Sequence, residues 1–285
     1  MRSMRKVIVC ALTYLMIVAC SFKVVSADEG TNMNNEVKVA TYISNLYGQI
    51  DFGRGDKISF EAFDKACRGY INLRNAGKLN PEHNIISICD FSLPSSANRL
   101  WVIDLNEKKV IYNTYVAHGQ GSGDDYATAF SNNNNSHQSS LGFYVTGETY
   151  QGEHGTSLRL DGMDQGYNDA AYDRGIVVHG ANYVCDKFVC SNQRLGRSWG
   201  CPAVPAALSL PIINTIKDGT CLYIYYPDNR YMSSSYWVNK KIAFVPQQDM
   251  YASALTPDMV KPTVRRIQYI TNGKVDSTVV VPVQN

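Results

Sequence analysis

The chain has 285 residues, 45% hydrophobic and 18% charged, which excludes an intrinsically disordered polypeptide and leaves room for one large domain or two small ones. The formal net charge of +2 misleads, because Arg2, Arg5, Lys6 and Lys23 stand in the first 27 residues with no acid among them. The 27 basic residues less these four leave 23 against 25 acidic, so the remainder, at −2, offers no electrostatic case for a nucleic-acid partner.

The N-terminus reads as a secretory signal over residues 1–27. A basic start precedes an apolar run from Val7 to Ala19 that is too short to cross a bilayer. Val25-Ser26-Ala27 offers a small-residue cleavage site and would release the chain from Asp28. Ile17-Val18-Ala19-Cys20 is similar to a lipobox, and processing there would leave a lipid anchor on Cys20. Both routes predict an exported protein of the periplasm or cell envelope. Beyond the signal stand Cys67, Cys89, Cys185, Cys190, Cys201 and Cys221, which an oxidising compartment invites us to pair. Cys185 with Cys190 is the expected disulfide; Cys67 with Cys89 is a second possibility, leaving Cys221 as a buried thiol.

In chain order, residues 28 to about 36 are polar and predict disorder, and a helical pattern then runs on to Lys78. Ser59 can cap a helix in which Phe60, Phe63, Cys67, Tyr70 and Ile71 recur at helical spacing. The pattern changes to strands at 86–91, 100–105, 110–116, 141–146, 158–160 and 175–178, divided by turn residues and by the polar run Ser131 to Ser136. Val204 to Ile216 predicts a helix with Pro205 early and Pro211 as a kink, and Cys221 to Tyr226 a buried strand. Residues 227–262 read as loops, followed by a hairpin about Asn272-Gly273. The expected architecture is mainly β with flanking helices: a helical segment at 28–84, a mostly β domain at 85–226, and C-terminal loops and hairpin at 227–285.

Residues 179–202 read HGANYVCDKFVCSNQRLGRSWGCP. A nucleophilic cysteine needs a base, donors for an oxyanion, and substrate access. His179 ends a strand, a rigid place from which to aim a ring. Gly200 permits close backbone approach, and Pro202 keeps Cys201 out of helical conformation. With no helix N-terminus to assist it, the thiolate would depend on an ion pair with His179. The bland alternative is that Cys201 is a disulfide partner and His179 a structural histidine. His118, His154, His179 and Cys201 lack the tight pairwise spacing of a zinc site, so no metal and no cofactor is expected.

His179-Gly180 followed by Ser198, Gly200 and Cys201 resembles the signature of the L,D-transpeptidases. AHGQGSG from Ala117, FSN at Phe130, SSLGFYVTGETYQGEHGTSLRLDG from Ser139 and GRSWGCP from Gly196 are similar to its murein L,D-transpeptidase catalytic-domain branch, over roughly residues 99 to 226. The resemblance implies a β-sandwich catalytic domain acting on peptidoglycan peptide stems. Cys201 would attack a tetrapeptide stem, expel D-alanine and pass the acyl group from a thioester to an acceptor amine. His179 would be the base, the carbonyl of Gly180 its orienting acceptor, and the N–H groups of Gly200 and Cys201 the oxyanion donors. Ser198 would bond within the loop. Trp199 stands where many relatives have His, and Ala203 where they have Asn or Arg. Substrate contacts would then fall to Arg197, whose guanidinium can grip a carboxylate, with His118 lining the site. His154 has a weaker case, and His83 and His137 read as surface residues. The competing functions are an L,D-carboxypeptidase or endopeptidase that hydrolyses the same acyl-enzyme, and a non-catalytic peptidoglycan-binding module with Cys201 tied to Cys221.

Overall fold

The computed structural model describes residues 26–243 and two later strands, 264–271 and 274–282, with side chains over 35–243. Residues 1–25 of the signal, with the Ile17–Cys20 processing site, and the Asn272-Gly273 turn lie outside the described residues, whereas Ser26 and Ala27 of the other processing site fall in the first helix. The first helix, α1 (Ser26–Gln49), includes the stretch expected to be disordered. Val39, Ile43 and Leu46 form a buried stripe at helical spacing. Once such a stripe is packed, each added residue costs little, so the helix propagates into the polar residues before it.

Ser59 caps α2 (Phe60–Asn75), its Oγ accepting from Ala62 N at 3.2 Å. Phe63, Cys67, Tyr70 and Ile71 are buried as the spacing predicts, whereas Phe60 is exposed and meets Tyr47 edge-on. Gly69 sits against the ring of Phe143, where any Cβ would overlap it. Buried Asn72 donates through Nδ2 to Trp237 O and Lys240 O, both at 2.9 Å, and so ties α2 to the end of the described core.

Eight strands form one sheet. They are β1 (Ile85–Asp90), β2 (Leu100–Asp104), β3 (Lys109–Thr114), β4 (Gly142–Gly152), β5 (Gly155–Gly162), β6 (Val177–Ala181), β7 (Ala203–Pro205) and β8 (Cys221–Tyr225), in spatial order β3-β2-β1-β8-β4-β5-β6-β7. β1–β8 and β6–β7 are parallel; the other pairs are antiparallel. The chain just beyond β3 reaches the opposite border, where Ala117 N donates to Ala203 O at 2.8 Å and Ala203 N to Ala117 O at 3.3 Å. The sheet therefore curls on itself into a barrel-like form around Trp101, Phe91, Phe143, Tyr144 and Tyr223. The mainly β fold with flanking helices is as the sequence predicts.

Several elements differ from expectation. Residues 203–205 pair with β6 as strand β7, so the helix expected from Val204 begins later, as α4 (Ala206–Ile216) with Pro211 inside it. Pro202 favours extended backbone before it, and Pro205, extended at ψ 131°, serves as the N-cap. A short helix, α3 (Asp186–Asn192), fills the segment between His179 and Cys201. The expected loop after β8 contains α5 (Asn229–Ser234) and α6 (Tyr236–Asn239), capped by Asp228 and Ser235. A buried polar cluster holds them. Asp164 accepts from Phe143 N at 2.8 Å, Ser235 Oγ at 2.7 Å and Tyr231 OH at 3.1 Å.

All six described cysteines are free, which corrects the expected Cys185–Cys190 disulfide and leaves the second possibility, Cys67 with Cys89, unformed. Cys185 is the N-cap of α3, its thiol donating to Asn182 O, and Cys190 lies five positions along that helix. Side chains so spaced leave different faces. Cys67 in α2 and Cys89 in β1 are each buried separately in the core. Residues 246–285 form a second unit, in which β9 (Val264–Thr271) and β10 (Lys274–Pro282) pair antiparallel as the hairpin pattern predicts.

Candidate active site

The parallel pairing of β6 with β7 sets His179 beside Ala203, two residues after Cys201. Cys201, His179, Ser198, Arg197, Trp199, Arg174, Tyr183, Tyr150, Glu153 and His154 share one open cavity of about 610 Å³. Of the site residues predicted from sequence, Cys201, His179, Ser198 and Arg197 meet there. Gly180 and Gly200 support it through the backbone, and His118 stands apart.

His179 is 3% exposed, and its Nδ1 lies 3.0 Å from Gly180 O. A carbonyl can only accept, so Nδ1 carries the proton and Nε2 is left with a lone pair. Burial lowers the pKa of this imidazole, the Gly180 contact partly opposes that, and His154 adds to the lowering. Glycine is needed at 180 because a Cβ there would lie 2.6 Å from Ser209 Oγ, on α4.

Cys201 is partly buried and follows Gly200, whose φ of +122° suits glycine. Its Sγ accepts from Val177 N at 3.5 Å and donates to Gly175 O at 3.6 Å, so the resting thiol is held by the chain entering β6. Burial raises its pKa, with the Val177 N–H and Arg174 opposing. Desolvation thus disfavours the charged form of both groups, where the sequence reading expected an ion pair.

The loop that carries Cys201 is braced from within and from outside. Ser198 Oγ donates to Cys201 O at 2.6 Å and accepts from Gly200 N at 3.1 Å. That second bond occupies the Gly200 N–H, which corrects its expected place as an oxyanion donor. The Cys201 N–H makes no hydrogen bond among the described residues. Buried Ser139 accepts from Gly119 N and donates to Gly200 O, each at 3.0 Å. A Cβ on Gly119 would press on Gly200 Cα, at 2.8 Å.

The cations of the cavity are already engaged. Arg197 donates to Gly123 O at 2.9 Å and pairs with Asp124 at 2.8 Å. Arg174 donates to Ser131 O, Ser136 Oγ and Gln138 O at 2.7, 3.1 and 2.8 Å, clamping the polar 131–138 loop beside the cavity. Trp199 is 72% exposed and stacks on His137 at 5.0 Å.

His118 does not line the cavity, contrary to expectation. It is fully buried with Nδ1 2.7 Å from Arg99 Nη2, and Nε2 faces Gly123 O at 3.4 Å. The arginine can only donate, so His118 must be neutral at Nδ1. Burial, and then the Arg99 charge, lower its pKa to about 4. Sequence reasoning also undervalued His154. Its ring, at the tip of the β4–β5 hairpin, stacks on His179 with centroids 4.4 Å apart. The signal for it was Glu153-His154 between Gly152 and Gly155, a two-residue turn of a hairpin.

The family model for the L,D-transpeptidase catalytic domain matches residues 54–225. The chain belongs to the L,D-transpeptidase catalytic-domain family. The chain is also similar to an L,D-transpeptidase from Mycobacterium smegmatis (11% identity, TM-score 0.32), over 50% of this chain and 59% of that one. Another similar structure is the helical cell shape determining protein Pgp2 from Campylobacter jejuni, at 13% identity and TM-score 0.35, covering 57% of each chain. A third is an L,D-transpeptidase fragment from Xylanimonas cellulosilytica, at 14% identity and TM-score 0.29, over 66% of this chain and 93% of that one. The chain thus spans about six tenths of the length of the mycobacterial relative. No curated protein matches it.

Proposed function

We propose that this protein is a peptidoglycan L,D-transpeptidase that carries its acyl group as a thioester on Cys201. The observation that carries this reading is the meeting of Cys201 with His179 in one open cavity, the imidazole held in a single tautomer by Gly180 O. A donor stem whose scissile carbonyl lies over Cys201 displaces the thiol from Gly175 O and Val177 N. His179 Nε2 takes the thiol proton as sulfur attacks, and the Cys201 N–H is free to meet the developing oxyanion. His179 then returns the proton to the departing D-alanine amine, and a C–S bond has replaced a C–N bond. An acceptor amine reverses the exchange, forming a new C–N bond and releasing the thiol. Arg197, exposed enough to leave Asp124, supplies the charge for a stem carboxylate.

The reading is tested by incubating the protein with disaccharide-tetrapeptide and weighing both products and protein. The expected results are a thioester adduct on Cys201, D-alanine release, and cross-linked dimer, all lost in Cys201→Ala. A Cys201→Ala protein that still converts tetrapeptide removes the assignment, and product consisting of tripeptide alone makes the enzyme a hydrolase.

A further inference from the structure

The tip of the β4–β5 hairpin has no place in the donor half of this reaction, yet it covers the base. Glu153 and His154 are both exposed, both line the cavity, and they are the two residues between Gly152 and Gly155. His154 lies flat over His179, tilted by only 21°. The arm is held in that position. Arg159 on β5 is stacked between Tyr150 of the arm, at 4.7 Å, and Tyr172 of the loop before β6, at 5.1 Å. Near the tip, Gln151 Nε2 donates to Thr156 Oγ1 at 2.8 Å. The register irregularity between Thr146 and Thr149 lies at the root of the arm, where it can turn the arm off the line of the sheet.

The charge of the cavity is also divided. Its guanidinium groups, Arg174 and Arg197, belong to the loop clamp and to the segment preceding Cys201, whereas its carboxylate, Glu153, sits at the hairpin tip beside an imidazole that no other reaction step uses. A carboxylate beside a basic nitrogen is the chemistry that recognises and deprotonates an ammonium group.

We infer that Glu153 and His154 form the acyl-acceptor site, which takes the primary ammonium group of a second peptide stem. Glu153 draws in the cation. His154 removes one proton, the freed lone pair attacks the thioester carbonyl and the C–N bond forms; a second proton leaves that nitrogen for His179 Nε2 and passes on to the sulfur as the C–S bond breaks. Water has no charge for Glu153 to attract, so this pair favours transfer over hydrolysis. The inference rests on the thioester reading above.

The test measures the ratio of cross-linked dimer to hydrolysed tripeptide at fixed donor and increasing acceptor, a ratio that does not depend on how much thioester forms. In Glu153→Gln the ratio should fall about threefold, as expected for an exposed charge pair. In His154→Gln it should fall about tenfold or more, as expected on losing a general base. More acceptor should restore the ratio in Glu153→Gln but not in His154→Gln. Thr149→Ala, on the same arm but exposed and outside the cavity, should keep the wild-type ratio. A thioester with an unchanged ratio in both variants overturns the acceptor site alone, as does an equal fall in Thr149→Ala. A wild-type protein that forms no thioester overturns the transpeptidase reading and the acceptor site with it.

Discussion

A thiol that donates to one backbone group and accepts from another is a poor nucleophile until something moves it. Cys201 rests in that state, with burial holding its pKa up, while burial holds His179 down. Iodoacetamide should therefore react at Cys201 with a midpoint above the ordinary thiol value of about 8.5. Because no imidazolium stands by to stabilise the thiolate, His179→Ala should leave that midpoint little changed while abolishing turnover. A wild-type midpoint below the ordinary value would show that the pair is charged at rest. His118 gives a second prediction. Its folded pKa, about 4, lies below the unfolded 6.5, so the folded state binds the proton less well than the unfolded chain. Its contribution is complete above pH 6.5 and is lost as pH falls from 6.5 towards 4, by on the order of 3 kcal/mol at most. Urea denaturation at pH 7 and pH 4.5 should show wild type losing more stability than His118→Gln. An equal loss in both proteins would assign the acid sensitivity to other groups.

At the scale of elements, α2 and the cavity-bearing half of the sheet meet at one missing methyl group. Gly69 lies on the Phe143 ring, and that ring is stacked in turn on Tyr223 at 4.1 Å, so it has nowhere to retreat. Gly69→Ala should cost about 1–3 kcal/mol by overpacking, measured by urea denaturation. Phe143→Leu should recover part of the loss only in the Gly69→Ala background. A Gly69→Ala protein as stable as wild type would mean that α2 slides on the sheet without penalty. Much at this scale was legible. Ser59 caps its helix because a hydroxyl followed by a helical apolar spacing has few other uses. The strand runs are legible because alternation and turn residues mark their ends. The α5 and α6 helices were hidden, because their stability comes from Asp164 and Asn72, far away in the chain. Short helices with little periodicity of their own carry no such sign.

For the whole molecule, the candidate site was legible where it is written locally and illegible where the fold composes it. His179 and Cys201 stand out because a His-Gly on a strand and a Gly-Cys-Pro loop are compact statements. His154 did not, since the direction of its hairpin depends on an irregularity at the root of β4. His118 was misread because its partner Arg99 is buried without a carboxylate, held by Val116 O, Leu93 O and the histidine itself. Nothing in composition announces a buried arginine of that kind. The closing contact of the barrel, Ala117 with Ala203, has a temporal meaning as well as a geometric one. Contacts between such distant positions form late in folding, and Gly119, Ser139 and the 195–201 loop acquire their mutual bonds through the same closure. Until then Cys201 is a thiol on an open chain, a short reach from Cys185 and Cys190. Oxidant present during that interval diverts it into mixed disulfides. Oxidant added after closure finds Cys67, Cys89 and Cys221 sealed in the core. The refolding yield of protein with a free Cys201 should thus be set by a race between chain closure and sulfur oxidation, read by counting thiols after refolding with oxidant added early or late.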